Sequence, residues 1–212
     1  MKISKMLFVL IISMLLTGCL DVLQSVDESN GVITVRYRIT LSKSISAMAE
    51  SMGGSDGSSP EEDFSSELGL DEIEQQIPEG IDFDISEIDT PHDMGVDVIM
   101  RADRRQAGQF PQWFPRITNT MVRIPLFPSN SEDPTASPDP QEAQFAEALL
   151  GSRKYRLIIS QDICPPNPEF LLAEQGGREL EPIEGIELGD VYLIEIPLML
   201  WFTPDPLELR VQ

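Results

Sequence analysis

The side chains able to do chemistry are few, and their spacing restricts what that chemistry would be. The 212 residues include two cysteines and one histidine, so a nucleophile with its base would have to combine Cys19, Cys164 or a serine with His92. Gly53-Gly54-Ser55-Asp56-Gly57 matches the G-x-S-x-G pattern of a nucleophile elbow. An elbow needs a buried strand running into the turn and a helix leaving it, whereas Ile45, Met48 and Met52 ahead of it recur at helical spacing. Ser55 therefore reads as a loop residue. His92, between Pro91 and Asp93, reads as a solvated side chain and not as a base or ligand. Cys164 sits in Ile163-Cys164-Pro165-Pro166-Asn167-Pro168, where the prolines forbid regular helix or inner strand and no basic neighbour lowers its pKa. A half-buried thiol at a strand end is expected there. No catalytic residue and no cofactor is expected, and the protein reads as non-enzymatic.

The carboxylates are the other candidates. Asp82, Asp84, Ser86, Ile88, Thr90 and Asp93 fall at offsets similar to those of a calcium loop, in which hard oxygen ligands spaced by two turn inward around one ion. The pattern fails where it is strict: Glu87 replaces the turning glycine, Asp93 replaces the long terminal Glu, and Ile81, Phe83 and Ile85 alternate as in a strand. A solvated acidic face is expected, and no metal site. Sixteen carboxylates lie between Glu50 and Asp97, with no Lys or Arg between Lys43 and Arg101. The whole chain carries a formal charge of -21 and 41% hydrophobic residues, so it is globular and repels phosphate backbones, excluding nucleic acid as a partner.

The elements that must hold these residues begin with a hairpin. Leu20, Val22 and Val26 alternate up to Asn30-Gly31, and Ile33, Val35, Tyr37, Ile39 and Leu41 alternate after it. Short helices are expected over Ile45 to Met52, from Ser59-Pro60-Glu61-Glu62 to Ile77, and from Asp139-Pro140-Gln141-Glu142 to Leu150. Loops are expected near 53–59 and 128–140, and strands at Ile81-Ile85, Gly95-Arg101, Thr118-Phe127, Lys154-Ser160 and Val191-Phe202. Val191-Phe202 is apolar on both faces, as in a central strand covered above and below; the alternative is that its Met199-Trp201 side lines a cavity for an apolar ligand. The pattern predicts an α+β domain, an antiparallel sheet with about three short helices, starting with a hairpin directly after Cys19.

The first nineteen residues give a cellular address. Lys2 and Lys5 precede an eleven-residue run from Met6 to Leu16 broken only by Ser13, and Leu16-Thr17-Gly18-Cys19 closes it with small residues before a cysteine. The run is too short to cross a hydrocarbon core of roughly 30 Å. The stretch resembles the signal of bacterial lipoproteins. That resemblance implies cleavage before Cys19, removing 1–18 as a signal peptide, with diacylglycerol on the Cys19 sulfur and an acyl chain such as palmitate on its new amine. It leaves one domain over 19–212. Losing Lys2 and Lys5 takes the charge from -21 to -23, and Cys164 is then the only thiol, so no intrachain disulfide forms. Leu20, not Asp, follows the cysteine, which by the family's sorting logic favours the outer membrane where the host has two. The expected function is that of a lipid-anchored binding or envelope-assembly module of the cell envelope, close to the membrane surface. Its partners are the membrane, through Cys19, and either another protein or, alternatively, a lipid or other apolar ligand that it carries.

Overall fold

The computed structural model describes residues 20–44, 77–126, 151, 153–175, 177, 179–202 and 206–212. In chain order its strands are β1 (Leu20–Ser29), β2 (Val32–Ser42), β3 (Ile81–Asp89), β4 (Asp93–Asp103), β5 (Arg116–Ile117), β6 (Val122–Pro125), β7 (Lys154–Ser160), β8 (Phe170–Glu174), β9 (Glu179–Ile183), β10 (Gly185–Leu188), β11 (Val191–Pro197) and β12 (Leu207–Val211). Asn30 and Gly31, with φ of 54° and 79°, close the β1–β2 hairpin. Two successive left-handed residues form a type I′ turn, whose twist matches that of the flanking strands.

Side chains then alternate about that hairpin with period two. Val22, Gln24 and Val26 of β1 and Ile33, Val35, Tyr37 and Ile39 of β2 all point to one buried face. β2 pairs with β4 and β4 with β3, both antiparallel, which brings Val96, Val98, Met100 and Ala102 onto the same face. On its other side β1 takes β7 in parallel, from Val22↔Tyr155 to Val26↔Ile159. The first sheet thus runs β10-β11-β7-β1-β2-β4-β3, and a second runs β5-β6-β12-β8-β9. Val22, Val35, Leu157 and Ile194 of the first share one hydrophobic cluster with Ile124, Leu172 and Leu209 of the second.

This architecture corrects the α+β expectation. Strands make up 62% of the described structure, and no helix there reaches seven residues. The expected helices and the loops near 53–59 and 128–140 lie outside the described residues, apart from Ile77 at the edge of one of them. A single antiparallel sheet with helices on one side is replaced by two sheets that bury each other's apolar faces, and the first contains a parallel pair. Two strand expectations also change. The run from Thr118 is shortened to Val122–Pro125, because Thr118 turns back on Met121 through a backbone bond of 2.9 Å and so joins β5 to β6. The run from Val191 stops at Pro197, which has no N–H to continue the ladder, and Leu198–Phe202 forms a 3₁₀ segment. β11 is therefore second from the edge, with its Val191, Leu193 and Glu195 side half-exposed, and β12 supplies a fully buried central strand to the second sheet.

At the middle of the first sheet the buried face is polar. Gln24 of β1 donates from Nε2 to the Tyr37 hydroxyl at 2.7 Å, and its Oε1 accepts the Tyr155 hydroxyl of β7. Gln24 and Tyr155 are fully buried and Tyr37 nearly so, and burial pushes both phenols well above their ordinary pKa. Each stays neutral as the fold requires. Gly95 of β4 marks a different constraint, since a Cβ there would lie 2.1 Å from the Ile39 carbonyl oxygen.

Two outcomes follow from this packing. Tyr155→Phe leaves the Gln24 carbonyl without that donor and lowers unfolding free energy in urea by about 1–3 kcal/mol; an unchanged midpoint would remove the network from any role in stability. Gly95→Ala forces β2 and β4 apart and costs about 1–3 kcal/mol by the same measurement, whereas a neutral effect would show that the two strands are not so closely apposed.

Candidate functional site

The face of the first sheet that points away from the core carries most of its charge. Arg36 of β2 grips Asp97 of β4, with Nε donating to Oδ1 at 2.7 Å and Nη2 donating to Oδ2. Neighbouring pairs are Arg101–Asp82 at 3.3 Å, Lys154–Glu195 at 2.5 Å, and Arg156–Asp21. Lys43–Asp89 at 2.6 Å and Arg104–Glu28 at 2.8 Å close the two ends of the sheet. These pairs tie adjacent strands in a chain whose net charge is strongly negative. Individually, half-exposed pairs of this kind are weak. Asp97 is the buried member of its pair, and the Arg36 hydrogen bonds hold its carboxyl below the usual range against the opposing effect of burial, with the Arg36 and Arg38 charges adding to the lowering.

The residues singled out for chemistry are not brought together. Cys19 and Gly53-Gly54-Ser55-Asp56-Gly57 lie outside the described residues; the first described residue, Leu20, is already in β1. His92 is exposed in the β3–β4 turn, where the Thr90 hydroxyl accepts the backbone N–H of Asp93 at 2.9 Å. Asp82, Asp84 and Ser86 are exposed along the extended strand β3, and Ile88, Thr90 and Asp93 continue into the turn. An extended backbone at about 3.3 Å per residue cannot wrap one ion, and no group of three His, Cys, Asp or Glu among the described residues is placed to hold a metal. Cys164 is half-buried just beyond β7, its thiol 3.5 Å from the Ser160 carbonyl, and burial pushes its pKa up to about 11. At neutral pH it is a thiol, and a weak nucleophile.

What sequence reasoning missed is the corner where the two sheets meet. β9 of the second sheet passes through Glu184 directly into β10 of the first. There an open groove of about 570 Å³ is lined by Pro168, Glu169, Phe170, Pro182, Ile183 and Tyr192, among others. The Phe170 and Tyr192 rings meet edge to face at 5.2 Å. Gly185 lets the Phe170 ring lie against the backbone, since a Cβ would fall 2.3 Å from it. The available signal was Ile186, Leu188, Gly189-Asp190, Val191 and Leu193, which is an alternating hairpin about a Gly-Asp turn. Gly189 takes φ of 68°, as the first central residue of a type II′ turn must.

Comparison with known protein families, with curated proteins and with solved structures finds no match to this chain.

The Arg36–Asp97 pair predicts a pH dependence with a definite sign. Because the folded carboxyl titrates below its ordinary value of 3.8, the native state holds fewer protons than the unfolded chain in that range, so the pair's contribution is complete above that value and is lost as pH falls through the lowered pKa. The stability gap between the protein and Asp97→Asn should be about 1 kcal/mol at neutral pH and shrink on acidification below the ordinary value. A gap that widens with acid would reverse the assignment.

Proposed function

We propose that this protein is a membrane-anchored bacterial lipoprotein, lipidated on Cys19, that works as a non-enzymatic binding or envelope-assembly module close to the membrane surface. The observation that carries the reading is the position of Leu20: ordered sheet begins one residue after the cysteine, and β1 lies inside the seven-stranded sheet. A lipid on Cys19 would hold the Leu20 end of that sheet at the headgroups, with no tether to let the domain drift. Leu41, Lys43, His92 and Lys154 occupy the same end in the strand register. The opposite end, with the Asn30-Gly31 turn, would face away from the bilayer.

A protein partner is favoured over a carried apolar ligand by the burial of the core side chains among the described residues. Tyr155, Leu157, Ile159, Ile194, Ile196, Leu198 and Leu209 are fully buried in one cluster, and the groove beside Phe170 and Tyr192 is open at the surface instead of enclosed.

The test is made in the native host. Cys19→Ala should accumulate uncleaved precursor and leave the protein out of the membrane fraction, while the native protein should yield by mass spectrometry an N-terminal residue Cys19 bearing diacylglycerol. An unmodified Cys19 in mature protein would end this reading.

A further inference from the structure

The two sheets end in four edge strands, and three of them carry features that discourage further pairing. β3 exposes Asp82, Asp84, Glu87 and Asp89, β5 has only two residues, and β9 contains Pro182. β10 is different. Ile186 and Leu188 are 44% and 52% exposed, and with Val32 they are the exposed large hydrophobic side chains among the described residues. In register they continue into half-buried Leu193 and Val191 of β11 and Ile158 of β7, giving a strip of apolar surface on the outer face. At the other side of β10, beside Gly185, lies the groove with Phe170, Ile183 and Tyr192. A strand added at this edge would find apolar contacts for its alternate side chains on both faces.

The hairpin geometry aims the backbone outward as well. A two-residue turn at Gly189–Asp190 makes Leu188 and Val191 a hydrogen-bonded pair, so the next residue, Glu187, turns its N–H and C=O away from β11. The charge here is of one sign. Glu181, Glu184, Glu187 and Asp190 are exposed and form no ion pair among the described residues, and the sequence has no Lys or Arg between Arg178 and Arg210. Elsewhere on the same sheet Asp21, Glu28, Asp82, Asp89, Asp97 and Glu195 are each paired with Arg or Lys. A second copy would bring the same carboxylates against these, with a net charge of -21 on each chain, so the complementary occupant is cationic.

We infer that the β10 edge docks an extended segment of a partner protein that alternates Lys or Arg with apolar residues and adds as the next strand of the seven-stranded sheet. This deepens the binding-module reading and rests on it only in requiring a partner, since the edge does not depend on the lipid.

The experiment uses the full chain purified from its host in detergent, with a fluorescent peptide of about eight residues alternating Lys and Val as probe and a Glu–Val peptide as control. Saturable one-to-one binding of the Lys–Val peptide is expected, with slowed exchange of the Glu187 amide and at least roughly tenfold weaker binding of the Glu–Val peptide. Ile186→Lys and Glu187→Pro should each weaken binding by a similar factor; the proline removes an outward donor together with the Glu187 carboxylate. Should Glu187→Pro fail to fold, Ile186→Lys and the amide exchange still decide. Absent saturation, equal binding of the two peptides, indifference to Ile186→Lys, or self-association that Ile186→Lys abolishes would each overturn the inference. Cys19→Ser protein should bind equally, so failure at β10 and failure of lipidation are read separately.

Discussion

Gln24 sits where three strands of the first sheet must agree. Its amide donates to Tyr37 on β2 and accepts from Tyr155 on β7, and all three groups are out of water. A buried amide is tolerated only when its hydrogen bonds are made. Hydrophobic alternation alone would accept β7 shifted by two residues against β1, because Leu157 and Ile159 are as apolar as their neighbours. The shift would break the diagonal contact between Tyr155 and Gln24, so the polar contact helps to specify a pairing that no turn specifies. Everything beyond β7, namely β11, β10 and the corner into the second sheet, inherits its register from this place.

The parts of the fold legible in the sequence are those with local signatures. Asn30-Gly31 between two alternating runs announced the first hairpin, and β3, β4 and β7 stood out as apolar alternation. The α+β reading failed because short strands with charges or prolines in them passed unnoticed. Leu207-Glu208-Leu209-Arg210-Val211 alternates cleanly, yet it is buried on both sides, and Arg210 donates to Glu208 at 2.6 Å within that burial. Such a strand looks like an amphipathic edge until its ion pair is seen. β8 and β9 are five residues each and β10 four, too short for periodicity to separate them from loop. The apolar edge at Ile186 and Leu188 was legible only through the alternation about Gly189-Asp190, and the Lys154–Glu195 and Arg156–Asp21 pairs were hidden because their partners are distant in sequence.

Charge in this molecule is arranged by sign and by place. Most basic side chains of the outer face meet a carboxylate on an adjacent strand or at the sheet's ends, so among the described residues unpaired carboxylates remain chiefly at Asp84 and Glu87 of β3 and at the β9–β10 corner. The two regions differ in what accompanies them. On β3 the carboxylates alternate with the half-buried Phe83 and Ile85 and guard an edge, whereas at β10 they flank exposed apolar side chains beside a groove. Long-range attraction and short-range apolar contact therefore converge on one edge, which is the combination that gives both rapid encounter and a defined register.

The parallel pairing of β1 with β7 also bears on how the chain reaches its native state. β1 and β2 are complete once Ser42 has been made, and a hairpin of this kind closes in microseconds. β7 does not begin until Lys154. For all the intervening synthesis, at about 5–20 residues per second, the second edge of β1 waits unpaired, with Leu23 and Gln24 on a strand that will later be interior. The contact order contributed by this pair is high and its closure is the slow event, so the interval before residue 154 emerges is when the nascent chain is most exposed to pairing with another copy of itself.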